Sequence, residues 1–420
     1  MTILIDLLYF IGFIFYLPLL VFKGKLHREF FFRLGFIPKV YMENPIWIHA
    51  VSVGEVMAIK KLVYELKAAF PRKRFVISTV TATGNKVAKT LAGGRDYVTY
   101  LPFDFSFIVS KVMRRIKPSL FIVAETEIWP NLINYLHHNN IPLITINGRI
   151  SDKSFIGYKR IKFILRHILN KVSLFCVQTE EDAKRLMALG VGLDKMDITG
   201  NLKFDLNYGN EVNPENYRSR LGIVYNEKLF VAGSTHKGED EIIFSVYKRM
   251  RQSSINIKLL IAPRHPERAR DVASLAKKFG FNPQLISAIP FICETCITQP
   301  VFILDTIGEL PGFYSAADIV FIGGSLTKNG GHNIIEPASH AKPVLFGPWM
   351  FNFREIARMF LDKSAAIMVR DEDELFNKAV ALLRNESEAS LYSERAKELV
   401  LKHRGATART LKHIMKFITK

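Results

Sequence analysis

Cysteine is nearly absent, with three in 420 residues. That excludes a disulfide scaffold and fits a reducing compartment. Cys293 and Cys296 form a C-x-x-C, but no second ligand pair stands near them to complete a metal site. Acids are scarce beside bases, 39 against 58, which gives a formal charge of +19 and a pI near 9.7. Such a chain is drawn to polyanions, either nucleic acid or an anionic membrane surface. Zinc-finger spacing, an RNP signature and a recognition-helix pattern are missing, so the charge alone does not favour nucleic acid. Missing too are G-x-S-x-G, H-E-x-x-H and G-x-x-x-x-G-K-[ST]. Asp371-Glu372-Asp373 is a D-x-D, but it opens a polar helix, where it reads as a cap. The composition that remains, 49% hydrophobic and 23% charged, is globular and long enough for two domains.

A long apolar run is present at the start. Residues 7–22 carry no charge, and residues 3–5 extend the run past Asp6. This is slightly short of the ~20 residues that span a bilayer. Lys23, Lys25, Arg28 and Arg33 follow at once. A signal peptide has its positive charge before the run and small residues after it. The reversed order predicts a retained membrane anchor over residues 1–22, with an apolar helix packed on the globular body as the alternative. The positive-inside rule then places the remainder in the cytoplasm. Aromatic and basic residues mix over 30–36, as in interfacial segments. Two further basic clusters fit an anionic surface. One is Lys111, Arg114, Arg115 and Lys117. The other is Arg149, Lys153, Lys159, Arg160, Lys162, Arg166 and Lys171, interleaved with Phe155, Tyr158, Phe163 and Leu165. The second reads as contact with anionic lipid or an acidic acceptor head group.

Strand-like runs at 46–51, 75–80, 97–101, 120–124, 143–146 and 174–177 alternate with helical patterns such as 56–69 and 107–115. A polar stretch at 207–215 reads as a linker. Alternation restarts with runs at 228–232, 258–262, 301–304, 319–322, 343–346 and 366–369. The pattern predicts an α/β fold of two doubly wound, parallel halves, residues 23–206 and 216–420, with ligands beyond the carboxyl ends of the strands and a cleft between the halves.

Candidate chemistry collects at those ends. Gly54 follows the first strand and permits a tight turn; Glu55 then opens a helix, placed as a general base or as a charge favoured by the helix dipole. Glu125 and Glu127 follow the fourth strand, ahead of a Trp129-Pro130 helix start, where buried acids are costly unless paired or used. In the second half, Ser234 lies in a turn resembling a phosphate-binding one, and Arg264 after Pro263 suits a bidentate phosphate clamp. Ile307, Gly308 and Glu309 follow a third strand, where backbone groups can hold a base or ribose. The longest signal is Gly323 to Pro337: glycines that let N–H groups approach a ligand, then Asn333, Ile334, Ile335 and Glu336 at a helix start, with Glu336 able to accept from sugar hydroxyls. His332 reads as a loop residue with ligand or base as the alternative.

These motifs, in this order, resemble the Kdo transferases (3-deoxy-D-manno-octulosonic acid transferases) of lipid A assembly. The resemblance covers the anchor, Ser52 to Glu55, Glu125 to Asn131, Thr199 to Asp205, Pro263 to Arg268, and Gly323 to Glu336. It implies a GT-B fold, CMP-Kdo as donor, a lipid A precursor as acceptor, no metal or other cofactor, no nucleic acid partner, and the cytoplasmic side of a Gram-negative inner membrane. It also implies Glu55 as the base that deprotonates the acceptor hydroxyl and Glu125 as the second acid, with Glu127 less certain. Pro263, Arg264, Ile307, Gly308, Glu309 and Asn333 to Glu336 match the CMP-binding turns, with Lys203 and Ser234 as additions near the phosphate or the Kdo carboxylate. A UDP-sugar transferase or epimerase on the same scaffold is the competing enzyme reading. A membrane-bound nucleic-acid or nucleotide-binding module is the non-catalytic one.

Overall fold

Strands form where apolar residues run without interruption, because a parallel strand covered by helices buries both of its faces. The computed structural model describes residues 5–7, 9–12, 28–38, 42–206, 212–290 and 300–418. The chain divides into two units, Met1–Leu206 with His403–Lys420, and Asn207–Lys402.

The first unit holds β1 (Ile46–His49), β2 (Phe75–Thr79), β3 (Tyr97–Tyr100), β4 (Leu120–Ala124), β5 (Leu143–Gly148), β6 (Leu174–Val177) and β7 (Met196–Ile198). They lie in the order β3-β2-β1-β4-β5-β6-β7, and every pair is parallel. Alternate residues serve opposite faces. Trp47, Val76 and Phe121 enter one core, while Ile46, Ile48, Phe75, Ile77 and Ile122 enter the other. From the adjacent strands β1 and β4 the chain leaves in opposite directions, toward β2 and toward β5, so their carboxyl ends mark the switch point of the sheet. The predicted helix 56–69 is broken at Ile59 into Val53–Ala58 and Lys60–Ala69.

The second unit holds β8 (Lys228–Thr235), β9 (Ile257–Pro263), β10 (Pro283–Leu285), β11 (Val301–Ile303), β12 (Ile319–Ile322), β13 (Val344–Phe346) and β14 (Ile367–Met368), in the order β10-β11-β9-β8-β12-β13-β14. These pairs too are parallel. Phe230, Ala232, Leu259, Ile261 and Phe321 pack against Phe244, Tyr247 and Met250 of the helix Asp240–Gln252.

Three expectations change. Residues 216–420 are not one domain, because the chain end returns to the first unit. There Asp205 accepts from Gly405 N at 2.6 Å and Thr407 N at 2.5 Å, and Arg409 Nε donates to Thr199 O at 2.9 Å. Ala406, Ile414 and Ile418 complete the core that holds Ile46 and Ile122. The expected linker 207–215 ends in structure, since Pro214 opens the helix Pro214–Arg220 with Asn213 as its cap; residues 207–211 lie outside the described residues, as do Cys293 and Cys296.

The expected anchor is described only at its start, residues 13–27 lying outside the described residues. Residues 5–7 and 9–12 are helical. Asp6 faces the body and accepts from Ser106 N and Asn131 Nδ2, each at 2.9 Å, while Tyr9 packs on Phe105. Leu7, Phe10 and Ile11 point outward, 46–56% exposed. This part of the run is therefore an amphipathic helix laid on the protein. Among the described residues no helix is long and apolar enough to cross a membrane.

Candidate active site

In the first unit the site begins where β1 ends. Ser52 is the cap of the helix Val53–Ala58, and Glu55 lies in its first turn. The Glu55 carboxylate turns back toward the strand: Val51 N donates to Oε2 at 2.8 Å and Ser52 Oγ to Oε1 at 3.0 Å. The carboxylate is thus held in place by two donors at the switch point of the sheet. Its carboxyl is raised from the usual range, first by burial and then by the charge of Glu125, against the lowering pull of Val51 N, Ser52 and Arg149.

Glu125 follows β4 with φ +60, left-handed for a residue that carries a side chain. Backbone strain of this kind costs about 1–2 kcal/mol and collects at functional positions. Arg149, next after β5, donates from Nε to Glu125 Oε2 at 3.0 Å. Glu127 is pushed up to about 7 by burial, and further by Glu55 and Glu125. The three acids thus form one electrostatic group beyond β1 and β4, with one cation held against it. Arg149 was grouped by sequence with lipid-facing bases. Its place immediately after β5, the neighbour of β4, is the signal that could have moved it to the site.

In the second unit the expected turns converge. Ser234 and Pro263 stand in the last residues of β8 and β9, Arg264 follows β9, and the turn Thr306 to Glu309 and the loop Asn333 to Glu336 follow β11 and β12; these strands are consecutive in the sheet order β11-β9-β8-β12. Ser234 is left-handed at φ +58. A Cβ at Gly233 would stand 1.8 Å from Tyr314 Oη, so this position needs glycine for Tyr314 to fit beneath the turn. Arg264 is exposed, and its charge helps to lower both His236 and His332 after the larger effect of burial. The two imidazoles lie parallel with Nε2 atoms 2.9 Å apart, which makes His332 a hydrogen-bonding loop residue. Asn333 Oδ1 accepts from Ile335 N at 3.1 Å, starting the short helix Ile335–Ser339, and Glu336 within it is pushed up to about 7 by burial. Glu309 pairs with Arg220 Nη1 at 2.5 Å, and Ile307 beside Gly308 is 88% exposed.

The glycine-rich turn itself corrects the sequence reading. The N–H groups of Gly324, Ser325, Leu326 and Thr327 do not point at open space. Fully buried Glu239 accepts from Gly324 N at 2.6 Å and His236 N at 3.0 Å through Oε2, and from Ser325 N and Leu326 N, each at 2.9 Å, through Oε1. The anion in this nest is the protein's own carboxylate. Lys203 belongs to the first unit, in the turn Leu202–Asp205 capped by Asn201. Asp371 caps the helix Glu372–Arg384 through Glu374 N, as its sequence suggested. Among the described residues no three or more His, Cys, Asp or Glu are grouped to hold a metal ion.

The chain matches known proteins along most of its length. Residues 28–206 match the family described as 3-deoxy-D-manno-octulosonic-acid transferase (kdotransferase). It is 37% identical over 384 residues to the 3-deoxy-D-manno-octulosonic acid transferase of Haemophilus influenzae, covering 90% of this chain and 89% of that one. To that of Chlamydophila psittaci it is 30% identical over 426 residues, covering 99% and 96%. Among solved structures, UDP-GlcNAc 2-epimerase from Neisseria meningitidis, bound to UDP-GlcNAc, aligns with a TM-score of 0.59 at 13% identity, covering 89% of this chain and 100% of that one. That likeness shows the fold alone, the GT-B type with two parallel-sheet Rossmann-like domains. With its identity sustained along nearly its whole length, the chain belongs to the 3-deoxy-D-manno-octulosonic acid transferase family.

Proposed function

We propose that this chain transfers Kdo from CMP-Kdo to a hydroxyl of a lipid A precursor at the cytoplasmic face of a bacterial inner membrane, in one inverting displacement. The observation that carries the reading is Glu55, an acid fixed by Val51 N and Ser52 Oγ and raised above the usual carboxylate range by burial beside two further acids. A general base works best with its pKa near the working pH. Glu55 takes the proton of the acceptor hydroxyl as its oxygen attacks the anomeric carbon. The bond to the CMP phosphate breaks with its electron pair leaving on phosphate, and attack from the opposite face inverts the configuration. Glu125, oriented by Arg149, is the second acid of the site.

Exposed Arg264 meets the charge on the departing phosphate, with Ser234 beside it at the sheet edge, so no metal is required in this scheme. Glu336 and the turn of Ile307, Gly308 and Glu309 hold the nucleoside; Pro263, Asn333, Ile334 and Ile335 shape its turns. Lys203 is kept as a candidate for the Kdo carboxylate.

The helices Asp152–Arg160 and Lys162–Leu169 suit an acylated, phosphorylated acceptor. They expose Ile156, Ile161, Phe163 and Ile164, and Lys159, Arg160, Lys162 and Arg166 line a cup of about 390 Å³. Arg149, just before these helices, is the residue paired with Glu125. The N-terminal segment adds membrane contact through Leu7, Phe10 and Ile11. Incubation with CMP-Kdo generated in situ and a tetra-acylated lipid A precursor tests the reading: mass gains in whole Kdo units support it. No gain from folded protein, with protection by UDP and not by CMP, would replace it with the UDP-sugar reading.

A further inference from the structure

Three imidazoles meet beside Arg264, from three strand ends of the second unit. His236 follows β8, His265 follows β9 and His332 follows β12. The rings of His236 and His332 are parallel with centroids 5.1 Å apart, and their Nε2 atoms are 2.9 Å apart. Those two distances together place both nitrogens on the line between the rings. The contact is therefore edge to edge, the geometry of an N–H···N hydrogen bond. His265 stands edge-on to His236 at 6.1 Å. Gly324, at φ +69, makes room for the pair: a Cβ there would stand 3.0 Å from His332 Nε2 and 3.3 Å from His236 Cδ2.

A bond between two imidazole nitrogens holds one hydrogen, so one ring donates and the other accepts. Such a pair has a property that neither ring has alone. When the donor ring takes a proton at Nδ1, its Nε2–H still faces the acceptor's lone pair, and the charge strengthens the bond. A second proton would set two N–H groups against each other. The pair is therefore built to carry either no charge or one. Burial is the largest force that keeps both rings neutral. It holds His332 down at about 3, with Arg264 and His265 acting in the same direction. His236 is lowered too, by burial and then by His265, Arg268 and Arg264, but the Glu239 carboxylate favours a proton on it. His236 is thus the ring that takes the charge and His332 the ring that accepts. Arg268 is already paired with Asp240, so Arg264 is the opposing cation that an incoming anion answers.

The proposed chemistry supplies that anion. The phosphate of CMP-Kdo is a diester with a single negative charge. When its bond to the anomeric carbon breaks, the electron pair turns it into a monoester dianion beside Arg264. We infer that the His236–His332 pair matches this change of charge: His236 takes one proton at Nδ1 as the phosphate gains its second negative charge, and His332 holds the charged ring by accepting from Nε2–H. The acceptor's own proton goes to Glu55, so the proton on His236 comes from water. His332 is a positioning residue in this scheme, acting through His236. The inference rests on the proposed transfer from CMP-Kdo and adds to it how the second unit tells the departed phosphate from the bound diester.

The test is calorimetric titration of the full chain with CMP, in buffers that differ in ionisation enthalpy, at about pH 7.5, above the second pKa of a phosphate monoester at about 6. The wild type should take up about one proton per CMP and none with cytidine. A proton gained on binding favours binding at lower pH, so CMP affinity should fall by up to about ten-fold for a rise of about one pH unit. His236→Gln keeps an N–H for His332 and cannot be charged. It should take up no proton and bind CMP about ten-fold more weakly, with cytidine affinity unchanged. His332→Gln offers an oxygen to His236 Nε2–H and should keep the uptake. A purely structural role predicts equal weakening for CMP and cytidine, with no change in protons, and that result would overturn the inference. So would wild-type binding of CMP without proton uptake, which needs no variant to fold. Undiminished uptake in His236→Gln would also overturn it, by assigning the proton to His265 or to CMP itself. Failure of the folded wild type to bind CMP at all would remove the donor reading, and this inference with it.

Discussion

Arg149 Nε donates to Glu125 Oε2 at 3.0 Å, and this pairing fixes the electrostatics of the neighbouring acids. The guanidinium also lowers the Glu55 carboxyl, opposing burial and the Glu125 charge. Replacing Arg149 by Ala removes that opposition. The Glu55 carboxyl then rises further, and a base that must be ionised is lost over a wider acidic range. The acidic limb of the rate–pH profile should move to higher pH, with the largest loss of transfer at the acidic end and partial recovery toward the alkaline end. An unmoved limb would mean that Arg149 serves binding alone.

Glu127 is raised from 4.5 to about 7 by burial and by Glu55 and Glu125. A folded value above the unfolded one means the folded chain keeps its proton longer. The stability this contributes is present in full below pH 4.5 and is lost as pH rises through about 7. Glu127→Gln should therefore raise the melting temperature at pH 8 and leave it almost unchanged at pH 4.5. Allowing for its partial exposure, the gain at pH 8 is on the order of 1–2 kcal/mol. Differential scanning calorimetry at the two pH values checks both the sign and the difference.

Glu239 holds five N–H groups of the chain, those of His236, Gly324, Ser325, Leu326 and Thr327, with one fully buried carboxylate. Glu239→Ala leaves those donors without partners, at about 1–3 kcal/mol for each one that water does not reach. The second unit should lose several kcal/mol of stability, and CMP affinity should fall with it although Glu239 touches no ligand in this account. Glu239→Gln keeps an accepting oxygen and should be the milder variant. Thermal unfolding beside CMP titration separates this positioning role from direct binding, which would lower affinity without lowering stability.

The sheets were readable because their strands are buried on both faces and so appear as apolar runs. β7 and β10 were not, since Met196-Asp197-Ile198 and Pro283-Gln284-Leu285 are three-residue edge strands without such runs. The return of the helix Ala406–Met415 to the first sheet was not readable, because an apolar face does not say which sheet it covers; Ala406 and Ile414 pack on the first. Glu55 and Glu125 were found because acids directly after buried strands are costly without a use. Glu239 was not, because Lys237-Gly238-Glu239-Asp240 reads as a solvated turn, and its partners stand 85 to 87 positions further on.

The central claim is that Glu55 removes the proton from the acceptor. Glu55→Gln retains the shape of the side chain and its cap while removing the base. Single-turnover transfer from CMP-Kdo, measured together with CMP affinity, tests it most directly. The account predicts a rate lower by about 10²–10⁴-fold with CMP affinity within about two-fold of wild type. Transfer at the wild-type rate, or parallel loss of transfer and CMP binding, would contradict it.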